Sequence, residues 1–146
     1  MQQVALLDVN VLIALLDPRH VHHEPAHRWF ATAQAQGWAT CPLTQNAVLR
    51  ILGQPRYPNS PGPPAVVAPF VAELIRHPRH QFWPNGLSLL NQSGIDVSRL
   101  LEAGQLSDTY LLALAVHHGG RLATFDRRLS CEAVVGGREA LWLIDA

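Results

Sequence analysis

The chain has 146 residues, which is the size of one domain with a single hydrophobic core. Apolar residues make up 48% and charged residues only 15%, a balance that excludes an intrinsically disordered chain. Eleven arginines balance eleven acidic residues, so the strongly basic composition of many nucleic-acid-binding domains is missing. Because the chain has no lysine, P-loop nucleotide binding, Schiff-base catalysis and Ser-Lys nucleophile systems are excluded as well.

The first half of the chain alternates between predicted strands and helices that end at proline or glycine. A buried strand stops at Asp8, Pro18 ends one helix, and Gly37 ends another. The predicted elements are a strand at 4–7, a helix at 10–16, a helix at 22–36, a strand at 39–41 and a helix capped by Thr44. Five prolines and two glycines then predict a loop at 53–64.

The second half continues this alternation and completes the predicted fold. Its elements are a helix at 65–76, a strand at 81–83, helical pieces within 86–104, a helix at 109–118 capped by Ser107 or Asp108, and strands at 121–125 and 141–144. Short strands alternating with helices predict an α/β fold with a mostly parallel central sheet and helices on both faces. The sequence shows no internal repeat and no second domain, so residues 1–146 are expected to form a single domain.

The cysteines and the apolar N-terminal run bear on the compartment. Cys41 and Cys131 lie ninety residues apart and form no CxxC pair, which favours reduced core thiols. The apolar run at 4–16 contains Asp8, is too short to span a bilayer, and has no basic residue before it. We therefore expect a soluble, cytoplasmic protein without a membrane partner.

Three acidic residues hold comparable positions in the predicted fold. Asp8 and Asp126 directly follow strands, and Asp108 opens the helix that leads into the second of these strands. Active sites of open parallel sheets lie beyond the carboxyl ends of the strands, so these side chains are expected to converge. Carboxylates in one cleft repel each other unless a cation neutralises them, and Mg²⁺ or Mn²⁺ prefers oxygen ligands. Such a cation activates water and stabilises a phosphodiester's charge, which predicts metal-dependent phosphoryl chemistry.

Each of these acids also has a purely structural interpretation. Asp8 and Asp108 stand where helix N-caps are expected, and an N-cap needs no catalytic role. Asp126 is followed by Arg127 and Arg128, with which surface ion pairs are plausible. Both interpretations stay open at this point.

Five segments match a known family in their order along the chain and in their spacing. They are LLDVNVLIALLD (6–17), HVHHEPAHRWF (20–30), CPLTQNAVLRIL (41–52), QFWP (81–84) and LSDTYLLALAVHHGGRLATFDRRL (106–129). The last segment is the most specific, because its two acids lie eighteen residues apart. Together these segments resemble PIN domains of the VapC type.

The resemblance implies a PIN-domain ribonuclease toxin of a type II toxin–antitoxin module. It implies cleavage of structured RNA such as tRNA or rRNA with Mg²⁺ or Mn²⁺, a homodimer, and inhibition by a VapB-type antitoxin. By position, Asp8, Asp108 and Asp126 match the family's metal-binding catalytic acids. Thr124 matches a hydroxyl residue that bonds a carboxylate or a metal-bound water, and Asn10 matches a polar residue that either orients Asp8 or caps the first helix.

The chain departs from the family pattern in the third helix, where many PIN domains carry a glutamate. Gln45 and Asn46 occupy this neighbourhood, and Asn46 is the expected substitute in the catalytic set. An amide brings no charge and cannot act as a base, so a second metal site should be weaker. The alternative function is therefore a PIN-fold binding module with weakened catalysis. A receiver-type phosphoacceptor domain also binds Mg²⁺ through such an aspartate, but it needs a lysine that this chain lacks.

Arginine, histidine and tryptophan residues are also candidates for functional residues. Arg50, one helical turn after Asn46, and Arg127 with Arg128 are candidates for RNA binding, because arginine matches phosphate in a bidentate way. Scattered solvated surface is the alternative interpretation. The histidines at 20–27 include an i, i+4 pair, but we interpret them as a helix start and a solvent-facing surface. The four tryptophans are expected in the core or at interfaces.

Overall fold

A central parallel sheet organises the protein. The structure, a computed structural model, describes residues 3–91 and 93–146. Within them the strands are β1 (Ala5–Leu7), β2 (Trp38–Thr40), β3 (His80–Phe82), β4 (Arg121–Thr124) and β5 (Leu141–Leu143). They pair in parallel in the order β3-β2-β1-β4-β5, so β1 lies at the centre. This order places the carboxyl ends of β1 and β4 side by side, directly before Asp8 and close to Asp126.

Helices pack on both faces of this sheet. In the described part of the chain they are α1 (Val9–Leu16), α2 (His23–Ala33), α3 (Pro42–Leu52), α4 (Pro64–Leu74), α5 (Leu106–His117) and α6 (Gly137–Ala140). Side chains of a strand alternate between faces, so Leu7 and Ala123 pack with α1 to α4, whereas Leu6 and Leu122 pack with α5. The predicted α/β fold with helices on both faces is confirmed.

The structure corrects two predicted helix starts. The third helix begins at Pro42 with Cys41 as its N-cap, because proline is favoured where no N–H is needed. Thr44 is not the cap; its hydroxyl accepts a hydrogen bond from the backbone N–H of Cys41 at 3.0 Å. The late helix begins at Leu106, so Asp108 lies in its first turn and neither Ser107 nor Asp108 caps it.

The remaining differences concern short elements. Among the described residues of 86–104 the helical structure is limited to two 3₁₀ turns, Val97–Arg99 and Ala103–Gln105. The four-residue helix α6 is absent from the prediction, because its N-cap and its first residue are both glycine and it is barely one turn long. Both cysteines are free, but Cys131 is only partly buried, in contrast to Cys41. Across the described residues, the helices are all too short or too polar to cross a membrane.

The proline-rich loop, which spans 53–63, is fastened to the end of α1 by the buried side chain of Asp17. Oδ2 of this residue accepts hydrogen bonds from the Tyr57 hydroxyl and from Nδ2 of Asn59, and Oδ1 accepts from the backbone N–H of Arg19. Burial acts to raise the pKa of Asp17, but the bonds from Tyr57 and Asn59 outweigh it, so the pKa lies below its usual value. The charged carboxylate thereby orders a segment without regular secondary structure.

Candidate active site

Asp8 stands at the carboxyl end of β1 and caps the helix that follows. Its Oδ1 accepts from the backbone N–H of Val9 at 2.7 Å, and its own N–H donates to the carbonyl of Ala123 at 2.9 Å. The residue is only 4% exposed. Burial raises the pKa of Asp8, and the hydrogen bonds from Thr124 and Val9 only partly oppose this rise. Capping and a role in the site are therefore compatible in one side chain.

Thr124, at the end of β4, holds Asp8 from the neighbouring strand. Its buried hydroxyl donates to Oδ2 of Asp8 at 2.8 Å, and it accepts from Nδ2 of Asn10 and from the backbone N–H of Asp126, each at 3.0 Å. A hydroxyl has one proton and two lone pairs, so these contacts use all of them. Of its two predicted contacts, Thr124 makes the one to a carboxylate and has no lone pair left for a metal-bound water.

Asn10 links the same two strand ends from the first turn of α1. Nδ2 donates to Thr124 and, at 3.4 Å, to Oδ2 of Asp8, while Oδ1 accepts from the backbone N–H of Phe125 at 3.3 Å. Because α1 begins at Val9, Asn10 lies inside the helix and does not cap it. The geometry agrees with the orienting role rather than the capping role.

Asp126 and Asp108 approach Asp8 from two further elements. Asp126 closes the turn after β4, where its Oδ1 accepts from the backbone N–H of Arg128 at 2.9 Å. Asp108 projects from the first turn of α5 and is half-buried. Burial, followed by the charges of Asp8 and Asp126, raises the pKa of Asp108 to about 6. The three predicted acids therefore lie close enough to repel one another.

A cleft of about 290 Å³ opens between α3 and α5 above Asp8. Asp8 and Asp108 line it together with Asn46 and Arg50, which lie one turn apart on α3. Gln45 instead donates from Nε2 to the Thr40 hydroxyl at 3.0 Å. Of the two residues predicted in place of the family's glutamate, Asn46 is thus the one that lines the cleft.

The charges of the three carboxylates affect one another, but the carboxylates do not converge into a metal-binding site in this structure. Within 3–91 and 93–146, no group of three acidic, histidine or cysteine side chains converges closely enough to hold a metal ion unaided. Asp8 is turned towards Thr124 and Val9, and Asp126 is turned towards its own turn. The three-carboxylate metal site therefore stays a prediction.

The other two candidate arginines lie on the surface beyond Asp126. Arg127 is 69% exposed at its side chain and is 4.0 Å from Oδ1 of Asp145, a weak surface pair. Arg128 is exposed and contacts Asp126 through its backbone N–H. Neither arginine lines the cleft, whereas Arg50 does. The predicted side-chain ion pairs to Asp126 do not form.

Sequence reasoning missed two parts of this region. Ser107 lines the cleft next to Asp108, although it was expected only as a cap. The ring of His22 stacks on that of Phe125, one residue before Asp126. The histidine run was the available signal for the second, but its partner is a hundred residues away in the chain.

We expect Asp108→Asn to stabilise the metal-free protein at neutral pH. Because the folded state raises the pKa of Asp108 to about 6, its stabilising effect is complete below the unfolded pKa and is lost as pH rises through 6. After allowance for solvent screening, removing the charge is worth about 1 kcal/mol at pH 8. Thermal unfolding with a chelator present should then show a melting temperature about 3 °C higher.

The control for this prediction is Glu139→Gln, which removes an exposed carboxylate from α6. Its melting curve should follow that of the wild type at every pH. Equal melting temperatures of wild type and Asp108→Asn at pH 8 would show that the acids do not repel each other in the folded protein.

The parallel sheet thus carries acids after β1 and β4, and a third acid lies in the first turn of α5. The model of the PIN domain family matches residues 5–131 of the chain. The chain belongs to the PIN-domain family.

Within this family the chain is similar to VapC proteins of Mycobacterium tuberculosis. It is 49% identical to Ribonuclease VapC44 over 135 residues, which cover 90% of this chain and 92% of that protein. It is 40% identical to Ribonuclease VapC39 over 137 residues, covering 94% and 99% of the two chains. A third relative, Ribonuclease VapC29, is 40% identical over 126 residues, covering 86% and 87%. The resemblance to VapC proteins predicted from the sequence is confirmed.

Proposed function

We propose that the protein is an endoribonuclease, the toxin of a type II toxin–antitoxin module, that hydrolyses phosphodiester bonds of RNA with a divalent cation. The observation that carries this proposal is the placement of three acids at one edge of the sheet: Asp8 after β1, Asp126 in the turn after the neighbouring β4, and Asp108 in the first turn of α5. It is supported by relatives named as ribonucleases that match nearly the whole chain.

The donor set of the site fits Mg²⁺ or Mn²⁺. All three carboxylates supply hard oxygen atoms, which these cations prefer. Burial and mutual repulsion raise the pKa of Asp8 and of Asp108, and a nearby cation would reverse this repulsion. A cation held by Asp8, Asp108 and Asp126 would activate water and stabilise the charge of the phosphodiester.

The chain's own residues would orient the substrate and the acids. Thr124 and Asn10 fix the Asp8 carboxylate, so its position does not depend on the ligand. Arg50 forms no ion pair with any described residue and lines the cleft, where its guanidinium would bind a phosphate oxygen pair. Asn46 would offer an amide to the same substrate but would neither carry charge nor accept a proton.

The proposed partners follow from the family. Structured RNA, tRNA or rRNA, is the proposed substrate, a VapB-type antitoxin is the proposed inhibitor, and a second copy of the chain completes a homodimer. The similarity to proteins named Ribonuclease VapC supports RNA as the substrate and a VapB-type antitoxin as the partner.

The test is cleavage of total RNA by the purified protein with Mg²⁺, with Mn²⁺ and with a chelator. We expect cleavage with either cation, none with the chelator, and recovery when Mn²⁺ is returned. Sequencing of the new 5′ ends identifies the RNA and the site. Cleavage that continues in the chelator would reject the cation, and RNA binding without any cleavage would favour a binding module.

A further inference from the structure

Two of the histidines near the start of α2, His23 and His27, contact the end of α1. His23 bonds the carbonyl of Ala14 through Nδ1 at 2.7 Å, and His27 bonds that of Leu15 through Nε2 at 2.9 Å. The last carbonyls of a helix lack partners within it, so these two histidines satisfy the end of α1. Their role is to join two helices, which explains both without a ligand.

His22 is different, because its ring points to the edge of the sheet that carries the acids. The ring stacks on Phe125 with centroids 4.7 Å apart and planes 19° from parallel. Its backbone N–H donates to Nδ1 of His20, but within the described residues its ring nitrogens form no hydrogen bond. A ring without hydrogen-bond partners at this place is not explained by the joining of α1 and α2.

Phe125 fixes the position of this stacked pair relative to the carboxylates. It lies between Thr124 and Asp126 in the chain, its backbone N–H donates to Asn10, and its ring packs against the core. The His22 ring is therefore held beside the turn that carries Asp126. Both rings remain partly exposed to solvent.

The surroundings of the pair have the composition of a surface that binds single-stranded nucleic acid. Arg127 and Arg128 lie two and three residues after Phe125 and are exposed, while the chain's overall charge is zero. Aromatic rings that stack on bases, next to arginines that contact the backbone, are the usual elements of such surfaces. The partly exposed His22 imidazole is stacked on the fixed Phe125 ring and has the tilted ring of His20 at 5.6 Å, so it offers a base a platform that loses little freedom on binding.

We propose that His22, supported by Phe125, is a positioning residue of the ribonuclease site that stacks on a nucleobase of the RNA next to the bond to be cleaved. This inference rests on the proposed function. The stack places a base on the α2 side of Asp126, while Arg50 contacts the phosphate on the α3 side. It makes unstacked, single-stranded nucleotides the preferred substrate at this position, because a paired base has no free face.

Binding to a short oligoadenylate and to an abasic ribose-phosphate chain of the same length tests this proposal. Both RNAs carry the same charge, so only a stacking contact distinguishes them. The proteins are prepared with Asp8→Asn, so that bound RNA is not cut, and binding is followed by fluorescence anisotropy. We expect His22→Ala to weaken oligoadenylate binding about tenfold, as for the loss of one stacked base, and to leave abasic binding unchanged.

Two further variants separate stacking from folding and from charge. His22→Phe keeps a flat ring and should restore oligoadenylate binding. His118→Ala removes a comparable stack, that of His118 on Trp83 at 4.1 Å, beyond the other end of α5, and should bind as its parent does. Melting temperatures accompany each measurement.

Three results would overturn the proposal: equal weakening of both RNAs, no weakening by His22→Ala, or failure of His22→Phe to restore binding. The first would indicate a phosphate contact or a folding defect, and the third would indicate that the imidazole nitrogens, and not the flat ring, contact the RNA. Cleavage of total RNA by the wild type, measured alongside, tests the proposed function separately. With cleavage present and stacking absent, only the role of His22 fails.

Discussion

Asp8→Asn is expected to reduce RNA cleavage by about a thousandfold while leaving the fold intact. Asp8 is the acid that Thr124 and Asn10 orient, and its burial raises its pKa. Asparagine has almost the same shape and still offers an oxygen to Val9, but it removes the negative charge that would hold a cation. The rate of RNA cleavage and the melting temperature are the two measurements.

The matched control is Glu73→Gln, which neutralises an exposed carboxylate on α4 and should cleave at the wild-type rate. Asp8→Ala is less informative, since it also removes the side-chain cap of α1. Cleavage by Asp8→Asn at the wild-type rate would show that the reaction does not take place at these acids.

Asp17→Ala is expected to lower the free energy of unfolding by about 3 kcal/mol, because it leaves the partly buried donors of Tyr57 and Asn59 without their acceptor. Asp17 is 5% exposed and accepts from Tyr57, Asn59 and the backbone of Arg19. In thermal unfolding this loss corresponds to about 10 °C. The proline-rich loop at 53–63 should also become accessible to proteases, since these bonds tie it to α1.

The lowered pKa of Asp17 should also make the stability of the protein depend on pH. Burial acts to raise its pKa, but the bonds from Tyr57 and Asn59 bring it below the usual value. Its stabilising effect is therefore present above the unfolded pKa and is lost as pH falls through the lower, folded pKa. Wild type and Asp17→Ala should accordingly become more alike in stability below about pH 4.

Asp96→Ala is the control for Asp17→Ala. Asp96 also accepts hydrogen bonds, from the backbone N–H and the hydroxyl of Ser98, but it is exposed. We expect a change in melting temperature of less than about 3 °C for it. A wild-type melting temperature and a wild-type digestion pattern for Asp17→Ala would show that the loop is ordered by other contacts.

The site could be predicted from the sequence only where local pattern and sheet topology were sufficient. Asp8 and Asp126 were identified because each directly follows an apolar run, and parallel strands end at one edge of a sheet. Asp108 was placed near them because it opens the predicted helix that leads into the strand before Asp126, although its position as a cap was wrong by a few residues. Helix starts are difficult to place because several residues compete for the cap, and here Pro42 and Leu106 begin their helices earlier.

The contacts between distant residues were beyond sequence reasoning. The Thr124 hydroxyl could have bonded a carboxylate or a water, and only the pairing of β1 with β4 shows which acceptor is within reach. Asn46 and Gln45 are adjacent, and the rotation of α3 on the sheet decides that Asn46 lines the cleft. Likewise, the residues around the histidines at 20–27 do not indicate that His22 stacks on Phe125.

The amino-acid sequence by itself determined the alternation of strands and helices, the order of the acids along the chain, and the absence of lysine, so that arginine is the only side chain available to bind phosphate strongly. These properties depend on neighbouring residues or on composition. The tertiary structure alone decided which hydroxyl orients Asp8, which amide lines the cleft, and which histidine stands beside Asp126. Each of these depends on the rotation and packing of elements far apart in the chain, where a shift of one residue turns a side chain to another face.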